Sequence, residues 1–447
     1  MLIEKKLFTR VNLINLLIAV LPLSLIIGNS AVNINVVLIC LAGIMTYKFE
    51  LFRINKKIYQ YLIFSFFLYL ILITLITNIP LIVNYVHKTH PYLEGSRDYY
   101  IDNIIKSFSF LRFLILFLVV NKLVQYNHFN FKFFYVSCSF FVLAVSVDIV
   151  IQVIFGKNLF GYPILHSRPT SFFLNEFIAG GYIQKFSLFF IFLFLLFKGK
   201  NYKIHFYILA FFALFFTAII LTGNRMPALL YLFSLLIFFL FMKKYKEILI
   251  FFLLSFVLIF SIIKYPPVNR MDVQIKTFYY GSKDILMKSI ELFYSNAYKD
   301  EKVINMNYNG YLIHFNSGAQ VWKKNKLFGG GLKSFRLNCV YKNNQTCNTH
   351  PHNYILEILV DTGIIGFILI YLIFIFSGFK FFKFYINSTN LRSKLLIIPF
   401  FLIVFLEFFP IRSSGSFFTT NNATVIFLVL AMLIGLTSSN LYKKLNK

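Results

Sequence analysis

Stretches of roughly 20 apolar residues recur along this chain, and that recurrence limits its fold more than any other feature. A bilayer's hydrocarbon core is about 30 Å thick, so a helix needs roughly 20 apolar residues to cross it. Hydrophobic residues make up 59% of the 447, more apolar surface than a soluble domain of this size needs. The expected fold class is therefore all-α, a polytopic membrane helical bundle of about twelve transmembrane helices with one large extracytoplasmic loop domain. The spans fall near 11–28, 31–47, 58–79, 104–121, 133–155, 175–197, 205–222, 225–241, 248–264, 354–376, 395–410 and 422–441. The 60 phenylalanines fit the coding bias of an AT-rich genome, and no function is drawn from them.

The net charge of +28 raises the question of nucleic acid. Its placement answers against it. Lys5, Lys6 and Arg10 precede the first span, and Lys48, Arg53, Lys56 and Lys57 follow the second. Lys198, Lys200 and Lys203, then Lys243, Lys244 and Lys246, then Lys380, Lys383, Arg392 and Lys394 fill later even-numbered gaps, and Lys443, Lys444 and Lys447 end the chain. With twelve alternating spans all of these lie on one side, the pattern of cytoplasmic loops, so both termini are expected in the cytoplasm. The apolar stretch Val11–Ile27 has no small-residue cleavage site and a second span follows at once, so it reads as a retained helix rather than a signal peptide. Three parts result: spans 1–9 with short loops over 1–264, a large outer loop over 265–353, and spans 10–12 over 354–447. Within the outer loop, residues from Asp284 to Trp322 read as helical, and Gly329, Gly330 and Gly331 break that pattern.

Short outer loops should be poor in arginine, yet Arg168, Arg225 and Arg412 stand at span ends on that side. A single such arginine can be explained by snorkelling to the headgroups. Three on one face favour an anionic ligand, because the planar guanidinium binds phosphate oxygens in pairs and never deprotonates. Arg225 sits in a tight turn, Leu-Thr-Gly-Asn-Arg-Met-Pro (221–227), and Arg168 in His-Ser-Arg-Pro-Thr-Ser-Phe-Phe-Leu-Asn-Glu (166–176). Glu176 either orients an arginine or complements a helix N-terminus.

His350 and His352 stand at the mouth of the tenth span. Two histidines separated by proline, with no carboxylate or cysteine set, make poor metal spacing, and no metal is expected. A neutral imidazole can instead take a proton from an attacking hydroxyl; the alternative is an interface histidine without chemistry. Glu357 and Asp361, four apart on one helix face, are costly inside a span without partners and are candidates to hold a His or Arg. Cys339 and Cys347 share the loop upstream, and in an oxidising compartment they read as a disulfide that pins it.

His352-Asn353, nine residues and Gly363-Ile-Ile-Gly366 resemble the His-Asn-x9-Gly-x-x-Gly signature of the O-antigen ligase and polymerase superfamily. Gly329-Gly-Gly-Leu-Lys-Ser-Phe resembles that family's glycine-rich stretch, Thr-Gly-Asn-Arg its Ser-Arg motif with Asn224 in place of Ser, and Arg-Pro-Thr-Ser-Phe-Phe-Leu-Asn its first outer arginine motif. The run 412–418 resembles late-span segments of some polymerases. The resemblance implies an inverting glycosyltransferase of the bacterial inner membrane, without metal, nucleotide or other cofactor. Its donor would be a polyprenyl-diphosphate-linked glycan and its acceptor a lipid A core or another glycan, with the active site periplasmic. Carried over by position, Arg168 and Arg225 would bind the diphosphate, Arg412 would be a weaker third member, and His352 would be the base. Asn353, Glu357, Gly363 and Gly366 would support it.

Ligase, polymerase and protein O-oligosaccharyltransferase share that donor half, and the His-Asn-x9-Gly motif favours the ligase. A flippase or other transporter should show inverted repeats and charges near mid-membrane, whereas here the outlying charges cluster at the outer face and no repeat is visible.

Overall fold

The computed structural model describes residues 2–53, 57–83, 96–166, 168–197, 206–242, 245–264, 310–339, 347–410 and 412–438. Among these the chain is helical, and the pairing outside helices is two isolated bridges, Lys157 with Pro163 and Leu165 with Arg168. The helices are α1 Leu2–Ile27, α2 Asn29–Tyr47, α3 Ile58–Val83, α4 Ser96–Ser109, α5 Leu111–Gln125, α6 Phe131–Phe155, α7 Ala179–Phe197 and α8 Phe206–Leu221. They continue with α9 Arg225–Met242, α10 Tyr245–Lys264, α11 Gly310–Lys324, α12 Phe335–Asn338, α13 Tyr354–Asn387, α14 Leu391–Glu407 and α15 Thr420–Ser438.

Each of the twelve segments expected to span contains a helix. Among the described residues, seven are long and apolar enough to cross a membrane: Thr9–Ile27, Asn29–Phe52, Ile58–Val83, Asp98–Gln125, Phe131–Phe155, Tyr354–Asn387 and Thr420–Ser438. The chain is thus a multi-pass membrane protein. Leu209–Leu221 and Arg225–Phe241 are apolar but shorter. Several expected boundaries moved, the sixth and tenth spans among them. The sixth span begins later, because Ser171–Phe173 forms a 3-10 turn and α7 starts at Ala179. The tenth runs on to Asn387, since nothing in its apolar sequence stops it before Ser388. Residues 265–309 and 340–346 of the expected outer loop lie outside the described residues, as do the C-terminal lysines.

The core is built around α15, in which every residue from Ala423 to Leu436 is buried. It packs on α5, and α5 packs on α2, through close helix approaches. A Cβ on Gly43 would meet Val119 Cγ2 at 2.1 Å, and one on Gly435 would meet Val124 Cβ at 2.8 Å. In lipid, where apolar burial gives helices little reason to associate, small residues of this kind let backbones approach and pack. Asn121 adds a hydrogen bond from Nδ2 to the Ala431 carbonyl at 3.2 Å.

Three contacts set which helix ends lie together. Lys185, near the start of α7, lies 3.4 Å from Glu407 at the end of α14. Gly180 of α7 lies directly under the α8–α9 turn, where a Cβ would meet Thr222 and Asn224. Glu357, in the first turn of α13, accepts from Ser416 Oγ and Phe417 N between α14 and α15. The start of α7, the α8–α9 turn, the start of α13 and the 408–419 connection therefore share one end of the bundle.

Candidate functional site

Arg168 and Arg225 come from different parts of the chain and meet at one turn. Gly223 turns the chain with φ +70°, and α9 begins immediately after, at Arg225. The Arg168 side chain lies along that turn, with Nε 3.4 Å from where a Gly223 Cβ would stand, and its guanidinium is 5.6 Å over the Phe177 ring. Asn224 Nδ2 is buried and has no hydrogen-bond partner among the described residues. Two guanidinium-bearing residues, an unpaired amide donor and a helix N-terminus thus share one spot. That combination is suited to an anion.

The loop carrying Arg168 is held by buried polar groups of α6. Asp148 accepts from Leu159 N at 2.8 Å and Ser171 Oγ at 2.6 Å. Gln152 accepts from Ser171 N at 2.8 Å and donates to the Tyr162 and Pro163 carbonyls at 3.3 and 3.2 Å. A carboxylate inside an apolar span is costly alone, and here its cost is offset by fixing the backbone on both sides of Arg168.

His352 is held in the left-handed region, with φ +54°. A non-glycine residue there needs outside support. The His352 carbonyl accepts from Ser414 N at 2.8 Å. Next to it, Asn353 caps α13 by accepting from Leu356 N at 3.0 Å, while its Nδ2 donates to the Pro410 and Arg412 carbonyls at 2.9 and 3.0 Å. The strap of Pro410 and residues 412–414 is anchored in turn, because the Arg412 guanidinium is buried 2.7 Å from Glu407 and 3.2 Å from the Leu406 carbonyl. One member of the expected arginine set, Arg412, is thus ion-paired inside the protein. Its charge is matched by Glu407, which Lys185 also approaches, in a buried Lys–Glu–Arg group.

Around His352 the imidazole of His350 lies at 4.2 Å and that of His314 on α11 at 4.7 Å, centroid to centroid. Burial, then the neighbouring histidines, push the His352 imidazole down to about 4. His350 is likewise pushed to about 4, by burial first and then by Lys333 and His314. At neutral pH both rings are uncharged and able to accept a proton. Among the described residues no group of His, Cys, Asp and Glu is arranged to hold a metal ion.

The glycines of the signature are explained by contact. Helix α13 is interrupted at Gly363, with φ +63° and ψ −168°, and the 325–334 loop docks into the gap. Ile364 N and Ile365 N donate to the Lys326 and Leu327 carbonyls, and Gly330 N and Gly331 N to those of Val360 and Asp361. Asp361 then accepts from Lys333 N, Ser334 N and Ser334 Oγ. A Cβ on Gly363 would stand 2.2 Å from the Leu327 carbonyl oxygen, and one on Gly329 2.4 Å from Gly363 N. Gly366 makes room for Tyr69 of α3, whose hydroxyl donates to the Phe328 carbonyl at 2.9 Å. Gly363→Ala is expected to cost about 3 kcal/mol or more through positive φ and the backbone clash. The check is the folded yield in detergent, measured as the monodisperse fraction, which should fall sharply.

Cys339 and Cys347 are joined by a disulfide with Cα atoms 5.7 Å apart. His314, Lys333, Ser416, Asp148 and Gln152 were not singled out from sequence. Asp148 had a legible signal, a carboxylate within an apolar span; His314 had none.

Residues 210–371 match the family model described as O-antigen ligase. This segment is similar to the O-antigen ligase family. It contains Arg225, the 329–331 glycines, His352, Asn353, Glu357, Gly363 and Gly366, whereas Arg168 and Arg412 lie outside it. The match supports the resemblance to the O-antigen ligase and polymerase superfamily, whose members are glycosyltransferase-like enzymes. No curated protein matches the chain.

Proposed function

We propose that the chain is an O-antigen ligase-like, metal-independent, inverting glycosyltransferase, moving a glycan from a polyprenyl diphosphate carrier to a hydroxyl of a lipid A core. The observation that carries this is the anion-suited turn formed by Arg168, Arg225 and the unpaired Asn224 amide. It stands at the same end of the bundle as a neutral, half-buried histidine.

In the step, the acceptor hydroxyl gives its proton to His352 as its oxygen bonds to the anomeric carbon from the face opposite the leaving group. The bond from that carbon to the diphosphate oxygen breaks, and its electron pair leaves on the diphosphate. Arg168 and Arg225 stabilise the charge that develops there, an effect strengthened between apolar helices. His352 starts uncharged and so can act as the base. Arg412 does not touch the diphosphate in this scheme; with Glu407 it anchors the strap that holds His352 and Asn353. The site faces the periplasm, and both termini the cytoplasm.

A polymerase of the same superfamily uses the same donor half and differs in the acceptor. A surface-glycan gel from a deletion strain separates the outcomes. The ligase predicts loss of all polymer attached to lipid A core. A polymerase predicts caps of a single repeat, and an unchanged ladder removes both.

A further inference from the structure

We propose that the side-chain amide of Asn348 occupies the position at which the acceptor hydroxyl binds, donating to the lone pair of His352 that later takes the proton. The proposal rests on His352 being the base and identifies the acceptor side of that same site.

The geometry gives both the atom and the place. Asn348 Oδ1 accepts from Thr349 N at 2.8 Å, which fixes the orientation of the amide. Its Nδ2 is therefore the atom that lies 3.0 Å from His352 Nε2. An amide N–H only donates, so Nε2 carries the bare lone pair and Nδ1 the proton. A hydroxyl that gives its proton to Nε2 must approach along the same line, at about 2.6–3.2 Å. Two donors cannot share one imidazole lone pair, so the amide moves aside as the acceptor arrives.

Asn348 is built for that exchange. It is exposed, so its side chain can swing out to solvent, and it follows Cys347, whose disulfide to Cys339 ties the backbone to the end of α12. The groups facing the His352 ring are His314 from α11, His350 from its own loop, Glu357 from α13 and the Ser414 backbone of the strap. Lys333 and Arg336 bear on it through His350. Asn348 adds the amide donor on Nε2 and holds that position until the acceptor displaces it.

The test uses the full chain in membrane vesicles, with extracted polyprenyl-diphosphate-linked glycan as donor and purified lipid A core as acceptor. Asn348→Ala removes the competing donor, so acceptor KM should fall severalfold while donor KM is unchanged. Asn348→Asp replaces a donor with a carboxylate that favours the imidazolium. The acid limb of the pH–rate profile should then move up by at least one pH unit. An unchanged or raised acceptor KM in the alanine variant, or an unmoved acid limb in the aspartate variant, overturns the proposal. His352→Ala separates the two ideas: if it is inactive while the Asn348 variants match the parent, only the acceptor placement falls. If His352→Ala stays active, the base role falls first.

Discussion

His352→Ala is expected to lower glycan transfer by about 10²–10⁴-fold, the range general base catalysis contributes, while membrane insertion is retained. The side chain lies outside the helical core, and the backbone contacts of residue 352 survive truncation. Its carbonyl still accepts from Ser414 N, and Asn353 still caps α13. Transfer measured in vesicles at matched protein level checks this, and near-parent rates would remove His352 from the chemistry.

The pH profile adds a second measurement. His352 is pushed from the usual 6.5 to about 4, with burial the largest cause and the neighbouring histidines next. The uncharged base therefore persists well below pH 6.5, and the acid limb should be centred near 4 rather than near 6.5. Stability responds in the same direction but from a higher pH. The unfolded chain takes up the proton at about 6.5 and the folded chain does not, so folding is progressively disfavoured as pH falls from 6.5 towards 4. Activity should thus outlast the onset of stability loss, and an acid limb at 6.5 would mean that the ring is solvated in the working enzyme.

The membrane class and the helical content could be read from the chain because hydrocarbon length sets the period of the pattern. His352 and Asn353 were legible for a different reason: the spacing to Gly363 and Gly366 reflects a helix that must be capped at one point and interrupted at another to admit the 325–334 loop. Arg412 shows where sequence fell short. Its position at a span end was visible, but Glu407, five residues earlier, is silent about which way the chain turns between them, and only the fold brings the two charges to 2.7 Å. His314 was hidden for the same kind of reason. It lies 38 positions from His352 in sequence, and no periodicity links residues on separate elements.

Arg225→Lys is expected to reduce transfer by about 10–100-fold even though the charge is kept. A lysine ammonium is a point charge, whereas a guanidinium can hold two oxygens of a diphosphate with a fixed fork. The position makes the difference larger than at an ordinary surface site. Arg225 is the first residue of α9, and Arg168 lies over Gly223 two residues before it, so the two side chains are presented from a single turn. If both bind one diphosphate, their effects are coupled. The Arg168→Lys, Arg225→Lys double variant should then lose less than the product of the single losses, because the first substitution already loosens the ligand that the second would hold. Loss should appear in kcat more than in acceptor KM, since the charge on the leaving diphosphate grows as the bond breaks. Parent-level activity in Arg225→Lys would assign Arg225 to the headgroup region, and strictly multiplicative losses would place the two arginines on separate ligands.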